Sequence, residues 1–419
     1  MNTLIKNVVL HHHETSILIH DQKIVKIAPE IDVSADKVID GQHNIVIPGL
    51  IDTHVHFRDP GLEYKENIHT GSLAAAHGGF TTVCAMPNVK PVVDTPKKLQ
   101  QMFQRNQERS VINTQQFGAI SNDLTANHID DIKQMAKLGA VGFTNDGHGV
   151  QNADTMYQAM KACQKINKPL VAHVEDDNFI HGGVMNAGKA STKLGLPGMS
   201  KLSETTQLAR DLVMAEATGV HYHVAHISTK KSVELVRIAK AHGINVTAEV
   251  SPHHLFLDDE MITRDNPMMK MNPPLRTPED RRALIGGLLD GTIDTVATDH
   301  APHSKEEKSG SMMSASFGIV GLETSFSLMY TRFVKSGLVS LTTLLKWMSH
   351  QPAKLFQLED PQIKVGHHAN LSIMDVDHPF KINPEHFLSK GKNTPFAGYK
   401  VYGQTMVTIC NGKIVYQNK

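Results

Sequence analysis

The chain has 419 residues, 40% hydrophobic and 20% charged, the balance of a folded globular protein and more chain than one ordinary core holds. Its 42 basic and 42 acidic residues cancel, so no net charge draws it to nucleic acid or to an anionic membrane surface. No apolar run approaches the ~20 residues of a membrane span, and the N-terminus lacks a secretory pattern.

Three scattered cysteines, Cys84, Cys163 and Cys410, suit a reducing cytoplasm and form no CxxC metal pair. Residues 2–40 alternate short β-rich runs (4–10, 16–20, 23–27) with polar turns, the pattern of a small antiparallel unit. His11-His12-His13 falls in the first of these regions and reads as a solvated face. From residue 45 the pattern changes. Apolar runs at 45–51, 81–86, 111–120, 140–144, 169–173, 220–227, 244–250 and 293–298 alternate with amphipathic stretches. The helical stretches are 64–77, 96–108, 152–166, 203–218, 232–242 and 278–289. Eight such repeats in about 300 residues predict an α/β fold, a (β/α)8 barrel with helices outside. A doubly wound open sheet is the competing arrangement, and no GxGxxG follows an early strand to support it.

Two further helical stretches, 322–334 and 341–356, precede a return to β-like alternation from Val365. His367-His368 beside Gly366 reads as a turn, and Asn411-Gly412 between two β runs is a hairpin signal. Both β-rich ends are expected to join in one small β-sandwich flanking the barrel. The expected division is 1–48, 49–360 and 361–419. Residues 304–318, rich in Gly, Ser and Met, have little to bury and are expected to form a mobile lid.

The C-terminal ends of parallel barrel strands meet at one mouth, where chemistry collects. The first strand ends in His54-Val55-His56, whose imidazoles share a side because strand side chains alternate. Arg58 and a Pro60-Gly61 turn follow. The second strand ends in Pro87-Asn88 and the fourth in Asn145-Asp146-Gly147. The fifth carries His173, and the sixth carries His226, with His221 and His223 as competitors further from the end. The eighth ends in Asp299-His300-Ala301-Pro302-His303. A lone strand-end His or Asp is more often a hydrogen-bonded polar residue or a helix cap. Four histidines and two aspartates at five converging strand ends are a different matter. Six N/O ligands without Cys exceed one zinc site and suit two ions if a carboxylate bridges them. Such a pair activates water and polarises a carbonyl, which is hydrolytic chemistry. Glu175 and Glu249 are candidates to orient ligand histidines, while His253-His254 stands open between a supporting pair and a decoy.

The stretch Ile51-Asp52-Thr53-His54-Val55-His56-Phe57-Arg58, with Met86-Pro87-Asn88, Asp146, His173, His226 and Thr298-Asp299-His300-Ala301-Pro302-His303, resembles dihydroorotases of the amidohydrolase superfamily, the longer bacterial type. The likeness covers nearly the whole chain. It implies a barrel with a flanking β-sandwich and the reversible cyclisation of N-carbamoyl-L-aspartate to L-dihydroorotate in pyrimidine synthesis. It implies two Zn2+ per chain, one held by His54, His56 and Asp299, the other by His173 and His226, with Asp146 bridging. Asp299 would move the proton. His56, Arg58, Asn88, Asn272, His303, Phe317 and Gly318 would contact a small-molecule substrate. A cytoplasmic homodimer is expected. Many relatives in the superfamily bridge the ions with a carboxylated Lys, and here Asp146 stands at that point. Asn145 stands where Asp is more usual. A hydantoinase or allantoinase, and a catalytically dead scaffold, are the competing readings. Arg58 separates the first pair from a dihydroorotase, since a guanidinium suits a free carboxylate that hydantoins lack.

Overall fold

The computed structural model describes residues 1–418. Parallel strands Leu50–Val55, Phe80–Ala85 and Asn113–Gln116 form one arc of a ring, and Leu170–Ala172, Tyr222–Val224, Val246–Val250 and Thr295–Val296 form the other. Phe143 joins the arcs, bridging Gly118 on one side and Leu170 on the other. The ring closes where Val55 meets His300. The expected eight-stranded barrel is therefore present, although its fourth strand is reduced to the pairings of Phe143.

The helices follow their periodicity and their caps. Pro96–Arg109, Ala153–Lys165, Leu202–Thr218, Lys230–Ala241 and Pro278–Asp290 match the expected stretches to within a few residues. Ala153–Lys165 buries Met156, Ala159, Met160 and Cys163, one stripe at helical spacing. Side chains of Asn67, Thr95, Asn152, Thr229 and Thr277 accept first-turn N–H groups, each such cap contributing ~1 kcal/mol. The first helix is shorter than its pattern, Ile68–His77, because residues 58–67 form turns and Asn67 caps the helix start. Three short helices lie outside the predicted stretches, Ile132–Leu138, Lys189–Leu194 and Pro252–Phe256; at seven, six and five residues they are too short for periodicity to stand out.

Both chain ends enter one eight-stranded sheet, in which the strand Leu371–Asp375 pairs with Ile45–Pro48 on one edge and Gln404–Cys410 on the other. One face gathers Ile5, Ile17, Ile39, Val46, Leu371 and Ile409 into its own apolar cluster. Ile47, Met374 and Cys410 turn the other way into the barrel's core. Hydroxyls dock the two: Ser372 Oγ donates to Gly79 O at 3.0 Å and Thr408 Oγ1 to Ala76 O at 2.7 Å. Asn411-Gly412 forms the expected hairpin turn, both with positive φ. His11 and His12 are exposed as expected, but as the tip of a hairpin with φ of 50° and 68° rather than as a strand face.

Candidate active site

Three strand ends and one loop place His54, His56, Asp146, His226 and Asp299 within reach of one another. His54 Nε2 lies 3.1 Å from Asp146 Oδ1 and 3.6 Å from Asp299 Oδ1. His56 Nε2 lies 3.1 Å from Asp299 Oδ1 and 3.4 Å from Asp146 Oδ2. His226 Nε2 and His173 Nδ1 face Asp146 Oδ1 at 3.5 and 3.7 Å, and face each other at 2.9 Å. All six expected ligand residues are thus brought together, and all are buried. Two trios, His54 with Asp146 and His226, and His54 with His56 and Asp299, are compact enough to hold a cation.

The donor set fits metal ions. His54 Nε2 and Asp146 Oδ1 are fully buried and 3.1 Å apart, yet neither makes an aligned hydrogen bond. Buried polar atoms without partners are rare, and these aim at shared space rather than at each other. Electrostatics agrees. Burial alone would lift the Asp146 carboxyl, but His54, His173 and His226 hold it well below the usual carboxylate range. Burial would likewise lower His54, and Asp146 and Glu249 outweigh it, raising His54 well above an ordinary imidazole. Protonation of His54 is thus favoured beside the Asp146 carboxylate, and a cation bound there would take the place of that proton.

Surrounding groups set ring orientation. Glu249 Oε1 accepts from His54 Nδ1 at 2.6 Å and its Oε2 from Thr53 Oγ1 at 2.8 Å, which turns His54 Nε2 to the centre. Asn88 Oδ1 accepts from His56 Nδ1 at 2.9 Å and does the same for His56. Glu175 stands 3.7 Å from His173 Nε2 and accepts from Asn272 Nδ2 at 2.7 Å. Asp52 Oδ1 accepts from the backbone N–H of His54 and of Thr298, fastening the first strand to the eighth. Three site residues other than glycine have positive φ: Arg58 at 59°, His226 at 30° and Asp299 at 48°. Such backbone strain gathers at functional sites.

His221 and His223 do not face the centre, although His223 Nε2 lies 3.2 Å from Glu249 Oε2. Both bond Thr247 Oγ1, so only His226 of the three reaches the centre. His254 bonds Ser251 Oγ and the carbonyl of Pro273, supporting the chain next to Asn272 rather than binding a metal. Asn145 secures the neighbouring loop. Its Oδ1 accepts from Ile120 and Ser121 N–H, and its Nδ2 donates to Ser121 Oγ and Leu124 O. An Asp there could accept but not donate.

A cavity of about 240 Å3 opens onto the cluster, bordered by Arg58, Asn88, Asn272, His303, Phe317 and Gly318. Among the described residues, no carboxylate lies within ion-pair distance of Arg58, whose Nε reaches only Pro302 O at 3.4 Å. Asn272 Oδ1 is buried without a partner. His303 is already engaged, with Nε2 at 2.7 Å from Phe317 O and Nδ1 at 3.1 Å from Glu307 Oε2. Gly318, at φ +124°, sits where a Cβ would come 2.6 Å from that of Ala301.

The stretch after His303 corrects the expectation of a loop with little to bury. Met312 is fully buried, and Lys308 is 2% exposed. Lys308 Nζ donates to Lys270 O at 3.0 Å and Ser316 O at 2.9 Å; Lys270 Nζ donates to Met312 O and Ala315 O, both at 2.6 Å. Composition concealed this because lysine normally signals a solvated face, and here its stem and ammonium are enclosed. Burial, and secondarily Lys270, push Lys308 down to about 7. From there to the ordinary lysine range the unfolded chain binds the extra proton, so stability should rise with pH above 7. Melting temperature should therefore climb between pH 7 and 10 in the natural protein and climb less in Lys308→Met. Identical slopes would show that Lys308 is not held as described.

Comparison with known proteins agrees with this geometry. Residues 43–232 match a family model described as dihydro-orotase-like. The chain is 55% identical to the dihydroorotase of Ligilactobacillus salivarius and 53% identical to that of Pediococcus pentosaceus, both over 100% of each chain. Among solved structures, the L-hydantoinase (dihydropyrimidinase) from Arthrobacter aurescens is similar with TM-score 0.87 and 28% identity, over 99% of this chain and 96% of its own. The dihydropyrimidinase from Brevibacillus agri shares the fold, with TM-score 0.86 at 21% identity, over 100% of this chain and 95% of its own.

Proposed function

Since the chain belongs to the dihydroorotase family, we propose that it interconverts L-dihydroorotate and N-carbamoyl-L-aspartate, the cyclic-amide step of pyrimidine synthesis. The observation that carries this reading is Arg58: a guanidinium on the cavity wall, beside the His and Asp cluster, without a carboxylate of its own. A substrate carboxylate supplies the missing partner, while a hydantoin ring has none to offer.

His54, His56 and Asp299 would hold one Zn2+, His173 and His226 the other, with Asp146 between them. When bound, the ions would acidify water and polarise the ring carbonyl. The rest is the chain's own work. Arg58 orients the substrate through its carboxylate, and Asn272 Oδ1, buried and unpaired, is placed to accept from a ring N–H. Water adds to the carbonyl carbon, the carbon–nitrogen bond breaks, and Asp299 carries the proton from the water to the departing nitrogen. His303, Phe317 and Gly318 form the facing wall. We place the protein in the cytoplasm as a homodimer, with residues 1–48 and 361–419 forming one unit against the catalytic barrel of 49–360.

Turnover of dihydroorotate, hydantoin and allantoin, with metal measured on the same sample, tests the reading. Dihydroorotate should be the substrate by a wide margin. Preference for hydantoin would assign the chain to the chemistry of its solved structural neighbours, and no turnover in a metal-loaded sample would mark it as a scaffold. Arg58→Met should raise KM for dihydroorotate by about 10-fold to 100-fold, the equivalent of a charge-assisted bond of ~1.5–3 kcal/mol, and leave the metal in place. Unchanged kinetics in that variant would sink the substrate assignment.

A further inference from the structure

Asn393 is 90 positions from His303 in the chain, yet it fastens the rim of the cavity. Its side chain, 2% exposed, uses every polar group it has. Oδ1 accepts from the His303 N–H at 3.1 Å, and Nδ2 donates to Ala301 O at 3.0 Å and to Gly318 O at 3.1 Å. Its backbone carbonyl accepts from Val320 N at 3.0 Å. The chain leaves the site through 301–303 and returns through 318–320. One residue from a third segment thus ties departure to return.

That segment is itself held. Gly391 lies against Pro302 so closely that a Cβ would come 2.7 Å from the proline Cβ. Ser389 Oγ donates to the buried Glu66 carboxylate and accepts from Gly391 N at 3.1 Å. The residue type matters as well. Two carbonyls and one N–H face the side chain, and only a primary amide of this length offers two donors and an acceptor together. A carboxylate would set oxygen against two carbonyl oxygens.

We propose that Asn393 is a positioning residue for the reaction: it fixes the spacing of His303 and Gly318 across the cavity, so that substrate meets a preformed wall. Asn393 does not border the cavity, and it acts through the two residues it holds. This rests on reading the cavity as the dihydroorotate site.

Asn393→Ala and Asn393→Asp should each raise KM for dihydroorotate about 10-fold or more, with kcat changed less than about 3-fold, since misplacing a binding wall weakens binding before it alters chemistry. Metal content should match the natural protein. Asn370→Ala is the control. Asn370 is also buried and accepts from a backbone N–H, that of Asn411, but in the flanking sheet, and its loss should leave KM unchanged. Unchanged KM in both Asn393 variants, with the natural protein turning over dihydroorotate, would overturn the positioning role. No turnover by the natural protein would instead overturn the functional reading. If neither variant folds, amide exchange in the intact protein decides. The His303 and Val320 amides should exchange as slowly as the barrel amides and far more slowly than Lys305 or Gly310 at the loop's exposed tip. A His303 amide that exchanges as fast as the tip would show that no clamp exists.

Discussion

Replacing Asp299 with Asn should lower turnover by about 10²-fold to 10⁴-fold in both directions, the range that general acid–base catalysis contributes. The carboxylate sits 3.1 Å from His56 Nε2 and 3.6 Å from His54 Nε2, at a strand end strained to φ 48°. Burial works against its ionisation, but the bond from His56 and the charge of His54 prevail and hold it below the usual carboxylate range. At neutral pH it is therefore ionised and ready to accept the proton that hydrolysis must move. Cyclisation runs the same path backwards and needs that carboxyl protonated, a fraction that grows as pH falls. Cyclisation by the natural protein should accelerate below neutrality, and hydrolysis should hold or rise above it. Asn keeps the shape and one oxygen but cannot carry the proton. A variant that kept a tenth of the natural rate with its metal content intact would remove Asp299 from the proton path.

The parts of this site that were legible in the sequence are those that obey a local rule. His54 and His56 share a side because strand side chains alternate, and the barrel puts strand ends at one mouth. His226 was separable from His221 and His223 by its distance along the strand, and the structure turns the other two to Thr247. Glu249 was readable as a partner for a ligand histidine, although not for which one. The parts that were not legible depend on long-range pairing. Asn393 reaches His303 across 90 positions, and nothing in its own neighbourhood marks it. Asn145 answers to the backbone of Ile120, Ser121 and Leu124, so its identity is set by a loop more than 20 positions away. Lys270 and Lys308 defeat the reading of charge as exposure, because backbone carbonyls rather than water receive their hydrogens. Hydrophobic pattern reports which residues are buried; it does not report which carbonyl a buried donor will meet.

Asp146→Ala should abolish turnover and cost the protein one metal ion before the other. Asp146 turns its two oxygens to different histidines of the cluster: Oδ1 looks to His54, His173 and His226 at 3.1, 3.7 and 3.5 Å, while Oδ2 looks to His56 at 3.4 Å. A carboxylate so placed can give one oxygen to each of two ions, whose bonds to oxygen run ~2.0–2.2 Å. An Asp stem is short, so its backbone must come close to the centre, and the turn at Gly147, with φ +85°, lets the chain leave again at once. On the proposed ligand assignment, loss of Asp146 would leave three ligands, His54, His56 and Asp299, for one ion and two, His173 and His226, for the other. Titration with a chelator should therefore strip the second site first in the variant and show less separation in the natural protein. Because the proposed bridge is an ordinary carboxylate, metal-free natural protein should also regain activity with zinc alone, whether or not bicarbonate is present. A carboxylated lysine would require it. If Asp146 only capped the turn at 145–148, its removal would cost ~1 kcal/mol of stability and leave metal content alone. A variant that retains two ions per chain, or a reconstitution that waits on bicarbonate, would end the bridging assignment.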